Sequence, residues 1–85
     1  MENQIDEPQK EFYECLERGE EIEFTYNNKN YTIQPKNNKY EIWLENQGKI
    51  LSLESPKEAL NNKFLNGESF LEAEAKKELS NIILF

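Results

Sequence analysis

Histidine is missing from this 85-residue chain, and with it go the usual general base, the commonest metal ligand and every Ser-His or Cys-His nucleophile pair. Cysteine occurs once, at Cys15, so neither an internal disulfide nor a cysteine zinc site can form, and a cytosolic, reducing setting is the expectation. Its place beside Phe12 and Leu16 on one helical face points to a buried structural thiol. The three glycines, Gly19, Gly48 and Gly67, stand singly, so no phosphate-cradling loop or dinucleotide fingerprint is present. Long apolar runs are lacking too. The longest is Ile82 to Phe85, far short of the roughly 20 residues that cross a bilayer, and the amino terminus reads as carrying no basic-plus-apolar leader. No enzyme activity, no cofactor and no metal is therefore expected.

What the chain does have is acid and aromatic side chains. Its formal charge is −7, with five Phe, four Tyr and one Trp. The excess charge is N-terminal: residues 1 to 24 carry nine acids against Lys10 and Arg18, while residues 25 to 85 balance eight acids with eight lysines. Direct nucleic-acid or anionic-membrane binding needs clustered Lys and Arg, so any charged partner is expected to be basic.

The apolar spacing predicts the elements. Asp6 as N-cap, Pro8 in the first turn, Gln9 in a loose capping box and Gly19 as stop frame a first helix, with Phe12, Cys15 and Leu16 inward and Glu7, Glu11 and Glu14 as an acidic stripe. From residue 21 the period drops to two. Ile22-Phe24-Tyr26, Tyr31-Ile33, Tyr40-Ile42-Leu44 and Leu51-Leu53 alternate with polar residues, joined at Asn27-Asn28, Asn37-Asn38 and Gln47-Gly48. Hairpin parity puts Phe24 opposite Tyr31, Ile33 opposite Ile42, Leu44 opposite Leu51 and Ile42 opposite Leu53. Ser55-Pro56-Lys57-Glu58 starts a second helix ended by Asn66-Gly67. Ser69 with Glu72 starts a third, with a Leu71, Ala75, Leu79 stripe and a Glu72–Lys76 pair. The expected fold is one α+β domain over residues 1–85, a two-layer, four-stranded antiparallel meander with three short helices in the order α-β-β-β-β-α-α.

That order, with Tyr26-Asn27-Asn28-Lys29-Asn30-Tyr31 and later Ser55-Pro56-Lys57-Glu58-Ala59-Leu60, resembles short uncharacterised proteins of AT-rich bacterial and phage genomes. The resemblance covers most of the chain and implies no particular function.

One surface asks for a reason. On the polar sheet face the same register aligns Glu23, Thr32, Trp43 and Ser52 in one row and Glu21, Gln34, Glu41 and Glu54 in the next, leaving Trp43 among acids. Either a helix, the tail Ile82-Ile83-Leu84-Phe85 or its own neighbours cover the indole, or Trp43 anchors a protein interface. On the second reading the partner-binding residues are Trp43, Glu41, Glu21, Glu23, Glu45 and Glu54, extended by Glu11 and Glu14 of the first helix. The leading expectation is a non-enzymatic interaction module, a regulator, inhibitor or adaptor for a basic protein surface. Nucleic-acid mimicry of the phage-inhibitor type is a variant of it. The alternative is a small-ligand or metal-responsive domain using Phe24, Tyr31 and Tyr40 or the acidic row. The tail reads as a last helical turn, an added edge strand or a dimerisation surface, with a monomer expected.

Overall fold

The structure is a computed structural model and describes residues 7–85. These residues form an α+β domain whose strands make one antiparallel sheet. The element order is α1 (Glu7–Glu17), β1 (Ile22–Tyr26), β2 (Lys29–Lys36), β3 (Lys39–Leu44), β4 (Gly48–Leu53), α2 (Pro56–Asn61), α3 (Phe70–Ala75) and β5 (Leu79–Leu84). The sheet runs β4-β3-β2-β1-β5, five strands rather than four. Asp6, the expected cap of α1, lies outside the described residues.

Alternation builds the core. Ile22, Phe24, Tyr31, Ile33, Ile42 and Leu44 all point inward and are buried against Phe12, Cys15 and Leu16 of α1, Ala59 and Leu60 of α2, and Phe70, Leu71 and Ala73 of α3. Phe24 is the hub: it stacks on Tyr31 at 5.3 Å and meets Phe70 edge-on at 5.0 Å, while Phe70 meets Phe12 edge-on at 4.9 Å. Asn27-Asn28 and Asn37-Asn38 both take left-handed φ values of 53° and 65°, as two-residue hairpin turns demand. Pro35 is tolerated in a central strand because β1 ends opposite Ile33, leaving no partner there to miss its N–H.

Three local expectations change. The third turn is a three-residue loop, Glu45-Asn46-Gln47, with Asn46 at φ 73° and Gly48 at φ 88°, so β4 slides by two residues. Ile42 then faces Leu51, Tyr40 faces Leu53 and Leu44 faces Gly48, with Ile50 bulged between Leu51 and Lys49. Parity survives from Tyr40 to Ile42, where the shift is two; past the Ile50 bulge the shift is three, which turns Lys49 to the outer face beside Trp43. The slide replaces the expected Glu41–Glu54 like-charge pair by Glu41–Ser52, which is electrostatically better. Secondly, α2 stops at Asn61, and Asn66-Gly67 instead turn the chain between Leu65 and Glu68, which form a bridge. Glu72 completes the Ser69 capping box but pairs with Lys63 at 2.8 Å rather than with Lys76, which reaches Glu68.

The third change is the largest. α3 ends at Ala75, Lys77 turns left-handed at φ 61°, and Leu79 belongs to a strand, not to a helical stripe. β5 supplies the partner β1 would otherwise lack on its outer side, pairing Tyr26 with Leu79 and Ile22 with Leu84. Asn81 and Ile82 together stand opposite Phe24, a bulge that Asn81 accommodates at φ 53°. Gln9, whose expected capping partner Asp6 lies outside the described residues, crosses to α3, its amide donating to the Leu71 carbonyl and to Glu74 at 3.2 Å each. Among the described residues no helix is long and apolar enough to cross a membrane.

Because Phe70 is fully buried between two aromatic partners, Phe70→Ala should cost about 3 to 5 kcal/mol in urea unfolding, a large share of a small domain's stability. Phe85→Ala, at a side chain 54% exposed, should cost under about 0.5 kcal/mol. Equal losses would show that the helical layer is not packed through Phe70.

Candidate functional site

The helices occupy one face of the sheet, and among the described residues none forms a layer over the other. Across that outer face the register aligns Ile83 of β5, Glu23 of β1, Thr32 of β2, Trp43 of β3 and Lys49 of β4 in one row. A second row runs from Asn81 through Thr25 and Asn30 to Glu45 and is bonded from strand to strand. Asn81 Nδ2 donates to Thr25 Oγ1 at 3.3 Å, Thr25 Oγ1 to Asn30 Oδ1 at 2.7 Å, and Asn30 Nδ2 to Glu45 Oε1 at 2.5 Å. The two rows wall an open groove of about 660 Å³. Two of its lining residues, Glu23 and Glu45, are acids, and none of the described lining residues is Lys or Arg.

Trp43 is 36% exposed at the groove wall and is held by a bond rather than by a cover. Its indole Nε1 donates to Glu41 Oε1 at 2.9 Å, and Lys49 Nζ reaches Glu41 Oε2 at 3.5 Å. Glu41 and Trp43 project from the same face two residues apart, so the indole folds back along its own strand, and the shifted β4 delivers Lys49 beside them. Glu41 is consequently buried. The indole bond, and after it the Lys49 ammonium, hold its carboxyl below the ordinary carboxylate range against the opposing effect of desolvation. Neither the tail nor a helix covers Trp43; the tail lies in the sheet plane as β5, and its Ile83 becomes the far wall of the groove.

The eight acids and aromatics expected at one surface are divided. Trp43, Glu23 and Glu45 line the groove. Glu41 positions Trp43 from behind. Glu54 is exposed and paired with Lys39 at the end of β4. Glu21 precedes β1, where its carbonyl accepts the Phe85 N–H at 3.0 Å and the Cys15 thiol at 3.5 Å. Glu11 and Glu14 are exposed on α1, in the layer behind the sheet, and do not extend the Trp43 surface. Ile83, Asn81, Thr25 and Asn30 were not anticipated as site residues. Their signal was the β-branched Ile82-Ile83 pair, which marks a strand.

The other candidate chemistries find little structural footing. Phe24 and Tyr31 are buried core residues and Tyr40 is half-buried beside them. Among the described residues no group of three or more His, Cys, Asp or Glu is placed to hold a metal ion. Cys15 is fully buried, and burial pushes its thiol up, away from the reactive thiolate. Among the described residues Glu78 carries the one raised carboxyl, shifted by a hydrogen bond with Glu68 and then by partial desolvation, at the loop that leads into β5.

No family model matches the chain, and neither a curated protein nor a solved structure matches it.

Two pH responses follow, of opposite sign. A lowered folded-state pKa makes the Glu41 contribution fully present above the unfolded value of about 4.3 and lost as pH falls through the lowered one. Emission of the single tryptophan should therefore titrate below about pH 4.3, and Glu41→Gln should remove that transition; an unchanged titration would break the assignment. For Glu78 the raised pKa means that stability declines as pH rises above the unfolded value. Glu78→Gln should raise the melting temperature at pH 7 and leave it unchanged at pH 3, and an equal gain at both would contradict a shared-proton origin.

Proposed function

We propose that this protein is a non-enzymatic interaction module that binds a basic protein surface through the outer face of its sheet. The observation that carries the reading is the groove, which combines an exposed Trp43, an exposed Ile83 and two carboxylates without a lining cation. A half-exposed indole beside an apolar wall is the composition of an interface anchor, and carboxylates around it steer and select a positively charged partner. The function does not need the whole acidic set. Glu41 and Glu54 already have lysine partners, so the free negative potential lies at the β5-β1-β2 side, at Glu23 and Glu45. The reading places the protein in the cytoplasm, without a cofactor, as a regulator, inhibitor or adaptor. Mimicry of nucleic acid is the less favoured form, because the acids of α1 and those of the groove face opposite ways and do not make one phosphate-like row.

The single tryptophan lines the groove and is its own reporter. Adding a nine-residue polylysine peptide should shift Trp43 emission saturably, with affinity falling steeply between about 50 and about 300 mM salt, as the Debye length shortens from roughly 14 Å to roughly 6 Å. The Glu23→Gln/Glu45→Gln double variant should lose most of the response, while Glu11→Gln/Glu14→Gln, which removes equal charge from the opposite layer, should bind as the wild type does. Equal weakening by both pairs would reduce the effect to net charge and overturn the site.

A further inference from the structure

Resting on that reading of the outer face, we infer that the group the groove receives is a guanidinium, an arginine side chain carried on an extended segment of the partner, and not a lysine ammonium. The argument is an inventory of donors and acceptors. Four side-chain donors of the groove are engaged inside the protein: Trp43 Nε1 bonds Glu41, Asn30 Nδ2 bonds Glu45, Asn81 Nδ2 bonds Thr25, and Thr25 Oγ1 bonds Asn30. The charged groups that line it are acceptors. Glu23 is half-buried with no Lys or Arg within ion-pair distance among the described residues, and Glu45 gives one oxygen to Asn30 and keeps the other. An anionic ligand, such as a phosphate or a carboxylate, meets two carboxylates and no lining cation. A ligand with donors alone fits, and guanidinium carries five donors and no acceptor.

Geometry separates arginine from lysine. Glu23 and Glu45 lie two strands and two residues apart, which puts their Cα atoms on the order of 12 Å apart from strand spacings of about 4.8 Å and rises of about 3.3 Å. A group bound between them meets carboxylates on different sides, where the five donors of a planar fork reach further apart than the three of a compact ammonium. Trp43 adds a second preference. With its N–H turned to Glu41, the indole has only its ring to offer, and a guanidinium stacks on a ring better than an ammonium does. The chain itself shows the lysine arrangement: Lys49 makes a single-point contact with Glu41 at 3.5 Å, on the side of Trp43 away from the groove's free acids.

The test uses the whole chain and three blocked, fluorescein-labelled nine-residue peptides, alike except for three positions that hold arginine, lysine or the neutral isostere citrulline, read by anisotropy at 50 mM salt. The arginine peptide should bind about five-fold or more tighter than the lysine peptide, and the citrulline peptide should not bind. Trp43→Leu, with its fold checked by thermal unfolding, should erase most of the arginine preference, and Glu23→Gln, a conservative surface change, should weaken the arginine peptide more than the lysine peptide. Equal affinity for arginine and lysine peptides would overturn the guanidinium assignment and leave the basic-partner reading standing. Binding of neither would overturn both.

Discussion

Side chains on a strand alternate faces, so each strand of this sheet has one set of residues to bury and one to leave in water. Among the described residues the helices cover one of the two faces. They come to about three turns, one and a half turns and one and a half turns in length, and all three pack on the face presented by Ile22, Phe24, Tyr31, Ile33, Ile42 and Leu44. Phe24 depends on this most directly, since it stacks on a strand neighbour and takes Phe70 on its edge. Once the helices are committed there, the outer face has to be stable in water without a layer over it. That is why it carries Thr, Asn and Glu bonded to one another, and why its one indole is tied by a hydrogen bond.

The two-residue slide of β4 shows how the two faces constrain each other. On the inner face the slide is nearly free, because Leu51 and Leu53 exchange one apolar partner for another. On the outer face it is not. The unshifted register sets Glu41 against Glu54, whereas the shifted one sets it against Ser52 and brings Lys49 within reach. Glu41 then becomes a charged acceptor for the Trp43 N–H, so the ring orientation follows from the register. Exposed Ile50, the bulged residue, is what this register leaves over.

The faces of β1 to β4 were legible because parity does not depend on the exact pairs, and the two Asn-Asn turns were legible because left-handed φ at two successive positions demands such residues. The β4 register was not, since its loop length rests on which of Asn46, Gln47 and Gly48 turn left-handed, and all three tolerate the turn. For β5 the edge-strand reading of the tail holds, but Leu79 goes to the strand and not to the helical stripe. Leu71, Ala75 and Leu79 do fall at helical spacing, but Ala75 is exposed and the sheet, with β1 otherwise at its edge, competes for the β-branched segment that follows. Of the candidate site, Trp43, Glu23 and Glu45 could be read from alternation alone. Glu11 and Glu14 could not be placed, because the side of the sheet taken by a helix is a tertiary choice that no local pattern reveals.

The added strand also determines where the open charge ends up. Without β5, Glu23 would stand at the sheet edge with bulk water beside it, one more exposed acid in an acidic chain. With β5 in place, Ile83 flanks Glu23 on one side and Thr32 on the other, so the carboxylate is half-buried and its charge is less screened than that of an acid on α1. At the other end of the sheet the same face has been neutralised from within, by Lys49 on Glu41 and by Lys39 on Glu54. A net charge of −7 spread over the surface would attract any cation weakly. The groove differs in that its unpaired acids are confined between an apolar wall and an aromatic one, which turns a diffuse attraction into a requirement for a particular shape of cation.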